Sequence, residues 1–76
     1  MSERLERVFR EVFDDESLRL TSDLSPETFP AWDSLSHVRL IMALEAEFDT
    51  KFTTDEVIEA DSGASIQTLL ESKSVL

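Results

Sequence analysis

Leu5, Val8, Phe9, Val12 and Phe13 recur at i, i+3, i+4, i+7 and i+8, which predicts an amphipathic helix with one narrow apolar stripe. Ser2 stands where it can cap that helix, and Glu3 lies in its first turn, near the positive end of the helix dipole. Asp14-Asp15-Glu16 predicts the end, because acids near a helix C-terminus oppose the dipole. Residues 15–32 then carry Pro26, Pro30 and several Ser and Thr with no sustained period. So long a connection in a small domain is expected to be ordered, with Leu18, Leu20, Leu24, Phe29 and Trp32 pinning it to a core.

A second helix is predicted from Ser34 to Phe48. At about 100° per residue, Leu40, Leu44 and Phe48 form one apolar row, with Ile41 beside it. Leu35, Met42 and Ala46 form another row on roughly the opposite side. Either the helix is wrapped on all sides, or the first row enters the core and Leu35–Met42 is partly exposed as a docking strip. Thr53-Thr54-Asp55-Glu56 has the spacing of a capping box and predicts a short third helix through Val57 and Ile58, ending before Asp61. Gly63 reads as punctuation. Ser65 is then expected to open a fourth helix with Ile66, Leu69 and Leu70 facing inward, Lys73 in its final turn and the last residues frayed.

Seventy-six residues allow one domain (1–76) with one modest core, burying roughly 60% of the unfolded surface and leaving little room for a deep catalytic cleft. A single glycine and 41% apolar residues favour a helical globule over disorder or an all-β fold. The chain has no cysteine, which excludes disulfides and thiolate metal sites. It also has no apolar run of about 18 residues and no signal-type apolar segment, so a soluble cytoplasmic protein is expected. The net charge of −10 is unevenly placed: residues 1–13 balance, whereas residues 14–61 carry thirteen acids against Arg19, Arg39 and Lys51. Such a field disfavours nucleic acid and anionic membrane and suits partners with basic surfaces, although acidity also serves solubility alone.

Conventional catalytic parts are scarce. His37 is the only histidine, so a His-rich metal site is excluded, and it reads as a polar residue on a helix flank. One glycine cannot build a phosphate-binding loop, and Asp14–Asp23 lacks the glycine and ligand alternation of a calcium loop. Ser34 is different. A serine at a helix start sits beside unpaired N–H groups and the positive dipole end, a favourable place for an attached phosphodiester. It reads equally as a cap.

Asp33-Ser34-Leu35, followed by Leu40-Ile41-Met42-Ala43-Leu44-Glu45 and Glu47-Phe48-Asp49, resembles the acyl carrier proteins of the discrete, single-domain kind. The resemblance covers nearly the whole chain and is most specific from Asp33 to Phe52. It implies an all-α, right-handed four-helix bundle with a long loop between helices one and two and a short third helix. It also implies that Ser34, flanked by Asp33 and Leu35, carries 4′-phosphopantetheine. A phosphopantetheinyl transferase would deliver that group from coenzyme A with magnesium held by the transferase, and Asp33 would help the transferase engage. The thiol of the arm would hold acyl groups as thioesters, and the carrier itself would catalyse nothing.

The sequence itself suggests docking through Leu35 and Met42, with Arg39 nearby as a discriminator. Glu45, Glu47, Asp55, Glu56 and Glu59 are expected as an acidic rim around the exit of Ser34, which suits a monomeric carrier's basic partners. Carriers of fatty-acid synthesis commonly show a glycine before the motif and an acid one turn into helix two. Here Pro30-Ala31-Trp32 and Arg39 stand instead, and Lys51 replaces a frequent acid. These departures count against the housekeeping fatty-acid carrier. The sequence does not choose between a carrier that serves fatty-acid or related biosynthetic enzymes and the alternative, a dedicated carrier for polyketide, nonribosomal-peptide or cell-envelope acyl transfer. Trp32 is expected to act as an aromatic lid on the loop. An unmodified acidic interaction domain with the same fold is the reading from another class.

Overall fold

Residues 2–76 are described by a computed structural model in which the apolar periods become four helices: α1 (Glu3–Phe13), α2 (Ser34–Phe48), α3 (Thr54–Glu59) and α4 (Gly63–Ser72). Among the described residues there is no strand. Ser2 caps α1, its hydroxyl accepting the Leu5 N–H at 3.3 Å. The helix ends at Phe13 because Asp14 turns into the left-handed region (φ 50°), returning its N–H to the Arg10 and Glu11 carbonyls. Asp49 ends α2 in the same way (φ 49°). Asp tolerates this conformation better than bulky residues do. The acids after α1 therefore mark its end, and the device is a left-handed cap as well as an unfavourable dipole.

The predicted stripe of α1 buries Leu5, Val8 and Phe9 against the Leu40, Ile41, Leu44 and Phe48 side of α2, and α4 adds Ile66 and Leu70. Leu18, Leu20 and Trp32 from the 15–32 connection complete that core, with Leu24 and Phe29 half-buried beside it. Two kinds of contact hold the connection. Phe29 meets Phe13 edge-on at 5.1 Å, and Trp32 meets Phe9 edge-on at 5.5 Å. Each such pair contributes about 0.5–1.5 kcal/mol beyond its buried area. The Glu6–Arg10 pair on α1 meanwhile takes up loop backbone: Glu6 Oε2 accepts the Leu20 N–H at 2.9 Å, and Arg10 Nε donates to the Leu18 carbonyl at 2.8 Å. The loop is ordered as expected.

The fourth helix departs from its predicted start. It begins at Gly63, not Ser65, because Ser62 supplies the cap, accepting the Ser65 N–H at 3.0 Å. Gly63 is no breaker but a point of close approach. Its N–H donates to the Leu24 carbonyl at 2.8 Å. A Cβ there would overlap the Thr21 carbonyl oxygen and press on Leu20 Cδ1 at 3.0 Å. The C-terminal residues are not frayed either. Val75 N–H returns to the Leu70 carbonyl at 3.2 Å, and Val75 and Leu76 pack against the core.

Gly63→Ala is expected to destabilise the domain by about 1–3 kcal/mol, the usual cost of forcing an atom into filled space, despite alanine's better helix propensity. A thermal melt of the variant at or above the parent midpoint would contradict this packing.

Candidate functional site

Trp32 fixes where α2 begins. Its N–H bonds the Phe29 carbonyl at 2.9 Å and its side chain is 2% exposed, so the next residue emerges at the surface in a set place. Asp33 is the N-cap: its Oδ1 accepts the Ser36 N–H at 2.9 Å, while its carbonyl takes the first helical bond from His37. Ser34 is therefore the first helical residue and not the cap. It is exposed, and its hydroxyl enters no hydrogen bond among the described residues. That separates the two readings of Ser34. The cap falls to Asp33, and the serine oxygen is spare.

Beside Ser34 lies an open groove of about 440 Å³, with Trp32, His37, Val57, Ile58 and Ala60 along it and Asp33 and Asp61 at its edges. It is the apolar concavity nearest the spare hydroxyl. The backbone N–H of Ser36, and after it the Ser36 hydroxyl, hold the Asp33 carboxyl below its ordinary value of 3.8. Ser34 thus has a fixed carboxylate on one side and an apolar hollow on the other.

His37 is not merely a polar flank. It is half-buried, receives the Trp32 Nε1–H at Nδ1 (2.9 Å), and places Nε2 2.8 Å from the Val57 carbonyl. One sequence signal could have found it. A buried indole needs an acceptor for its N–H, and His37 is the ring acceptor one turn into the following helix. Trp32 is a lid in the expected sense, and it is also a hydrogen-bond donor.

Leu35 and Met42 are 69% and 64% exposed, with Arg39 exposed between them, so the helix is not wrapped on all sides. Val38 (54%) joins this strip and Ile58 (70%) faces solvent on α3, two residues that periodicity had not set apart. Two of the expected rim acids stand well away from Ser34. Glu45 and Glu47 lie roughly 16–20 Å along the helix from it, at 1.5 Å per residue. Glu47 is paired with Arg4 at 2.7 Å across to α1, and Glu45 accepts the Phe52 N–H at 2.9 Å. Glu56 completes the capping box with Thr53 and pairs with Lys73 at 2.8 Å, and that ion pair first, then the Thr53 N–H, lowers its pKa. Asp55 and Glu59 are exposed and form no ion pair among the described residues. Packing and capping demands on these carboxylates are invisible in a charge count.

The solution NMR structure of a holo acyl carrier protein from Geobacter metallireducens matches the chain with a TM-score of 0.86 and 38% sequence identity. The match covers 92% of this chain and 80% of that one. The chain belongs to the acyl carrier protein family. No family model matches its sequence, and no curated protein does. As a member of that family it is a carrier and not an enzyme. Among the described residues, no cluster of acids or histidine could hold a metal ion, and no helix is long and apolar enough to cross a membrane.

The depressed pKa of Asp33 carries a sign. Its contribution to stability is fully present above the ordinary carboxylate value and is lost as pH falls through the lower, folded value. Asp33→Ala should therefore lower the melting temperature at pH 6–7, with the deficit shrinking below about pH 3.8. A deficit that grows on acidification would contradict the cap.

Proposed function

We propose that Ser34 is the attachment point of a 4′-phosphopantetheine arm, and that this cytoplasmic, monomeric carrier presents acyl groups as thioesters on the arm to successive biosynthetic enzymes. The observation that carries the proposal is the spare, exposed hydroxyl of Ser34, freed by the Asp33 cap and set at the start of a 15-residue helix. The group fits there. The first-turn N–H groups and the dipole favour a phosphodiester, and the groove alongside offers apolar shelter to an arm or its cargo. When bound, the arm supplies a thiol, the functional group the chain's own residues lack. The chain's part is to hold the attachment serine accessible, to keep Asp33 ionised beside it for the transferase, and to offer a surface for docking.

That surface we assign to Leu35, Val38 and Met42, with Arg39 among them and Asp55 and Glu59 as the unpaired acids on the neighbouring helix. Partner enzymes would meet it with an apolar dimple, basic groups facing α3 and a hydrogen-bond acceptor for Arg39. Arg39 is exposed and forms no ion pair among the described residues, and its fork suits a carboxylate. That feature favours a dedicated pathway carrier, in which the partner rather than the arm sets specificity.

Incubation with a broad-specificity phosphopantetheinyl transferase and coenzyme A should add one phosphopantetheine to the chain, seen by intact mass. Ser34→Ala should abolish the gain and leave the helical spectrum and melting temperature nearly unchanged. No gain with an active transferase would refute the arm and leave an unmodified interaction domain.

Docking has its own signature. Met42→Ala should weaken association with the transferase by about 1–2 kcal/mol at every salt concentration, as an apolar anchor does. Glu59→Lys should act mainly at low salt, where rim charges set the encounter rate. Equal salt dependence for the two variants would remove this assignment of roles.

A further inference from the structure

We infer that His37 is a positioning residue that clamps the C-terminal half of α3 beside Ser34, and that Trp32 sets the clamp by fixing the His37 tautomer. This goes beyond the proposed modification of Ser34 and does not depend on it.

The need for a clamp comes from α3 itself. Six residues are too few to hold a helix by propensity, and none of Thr54–Glu59 is buried. Its N-terminal end is secured by the capping box and by the Glu56–Lys73 pair to α4. At its other end the Ala60 N–H bonds the Glu56 carbonyl at 2.9 Å, but the Val57 carbonyl has no backbone donor among the described residues. The Val57 carbonyl would be taken in a longer helix by the N–H of Asp61, but that N–H bonds the Glu59 carbonyl at 2.8 Å. His37 Nε2, 2.8 Å away, fills the vacancy. Together with half-buried Val57 and buried Ala60, which pack against the core, this hydrogen bond ties the Val57–Ile58 wall of the groove to the rest of the fold.

Which atom donates follows from Trp32. An indole N–H can only donate, so the His37 Nδ1 it approaches at 2.9 Å must be the bare, accepting nitrogen. The proton of the neutral ring is then on Nε2, the nitrogen aimed at the Val57 oxygen. The rings stack at 6.0 Å and 28°, and Trp32 is wedged against Phe9 at 5.5 Å. A continuous path thus runs from the core face of α1, through Trp32 and His37, to a carbonyl at the C-terminal end of α3. Neither ring nitrogen is spare.

Nitrogen-detected NMR of the imidazole should show one tautomer, protonated on Nε2. A ring protonated on Nδ1, or an average of the two, would overturn the inference without any variant. His37→Phe and Trp32→Phe each keep a ring and delete the relay. Amide hydrogen exchange at Val57–Asp61 should then rise about five- to tenfold more than exchange in α1 and α4, the scale of one net hydrogen bond. The double variant should add no further local rise, because both changes remove the same tie. Equal acceleration in every helix, or none at Val57–Asp61, would reduce both residues to ordinary packing. Repeating the exchange on a Ser34→Ala background, which cannot carry an arm, keeps this outcome separate from that of the modification.

Discussion

Burial of Trp32 is the constraint on which the site depends. The 15–32 connection has no regular hydrogen-bond ladder of its own, so its end could in principle emerge anywhere along α2. Trp32 removes that freedom by filling the space beside Phe9 and Phe13, held edge-on by the first ring and at a tilt by the second. Once it is seated, Asp33 must lie at the surface in an extended conformation, its carboxylate meets the Ser36 N–H, and Ser34 follows as the first helical residue. A buried indole also demands an acceptor, and the acceptor is His37. One side chain thereby sets the start of α2, the exposure of Ser34 and the orientation of the residue that reaches α3.

Carboxylates are the second organising resource, and most of those near the helices are committed inside the fold. Glu6 satisfies a loop N–H, Glu45 satisfies Phe52, Glu47 holds Arg4 and Glu56 holds Lys73. In each case an acid supplies backbone or cationic groups with a partner that a small core cannot provide. The acidic surface open to another protein is accordingly more local than a count of seventeen acids suggests, the net charge of −10 having already discounted the paired cations. It is concentrated on the exposed acids of α3 and on the loop.

What the sequence made legible follows the physics of periodicity. Leu5 to Phe13 and Leu40 to Phe48 announced their buried faces because a 3.6-residue repeat admits one interpretation once the partner face is also apolar. Thr53 and Glu56 announced α3 because a capping box is local. Gly63 was misread because its role is to admit a carbonyl from Thr21, a contact made at a distance of 42 residues that no local pattern records. The fraying expected after Lys73 failed for the same reason: Val75 and Leu76 are held by the core, not by helix propensity. Ser34 was visible as a choice between cap and attachment point. Only the position of the Asp33 carboxylate decided the cap, and only the fold brought His37 to Val57.

The site therefore joins two elements of unequal stability. α2 is long, buried along one face and capped at both ends, so Ser34 stands on a rigid base. α3 has no fully buried residue in its span, Val57 packing only partly against the core, and it takes the rest of its hold from Lys73, His37 and the residues that flank it. Local opening free energies are lowest where buried apolar contacts are fewest. Any adjustment of the groove beside Ser34 must then come from α3 moving against a fixed α2, since the reverse would disrupt Leu40, Leu44 and Phe48 in the core. For a carrier this division is economical in structural terms: with the proposed arm on Ser34, the serine would keep one address for every partner, while the neighbouring wall could yield to what the arm holds.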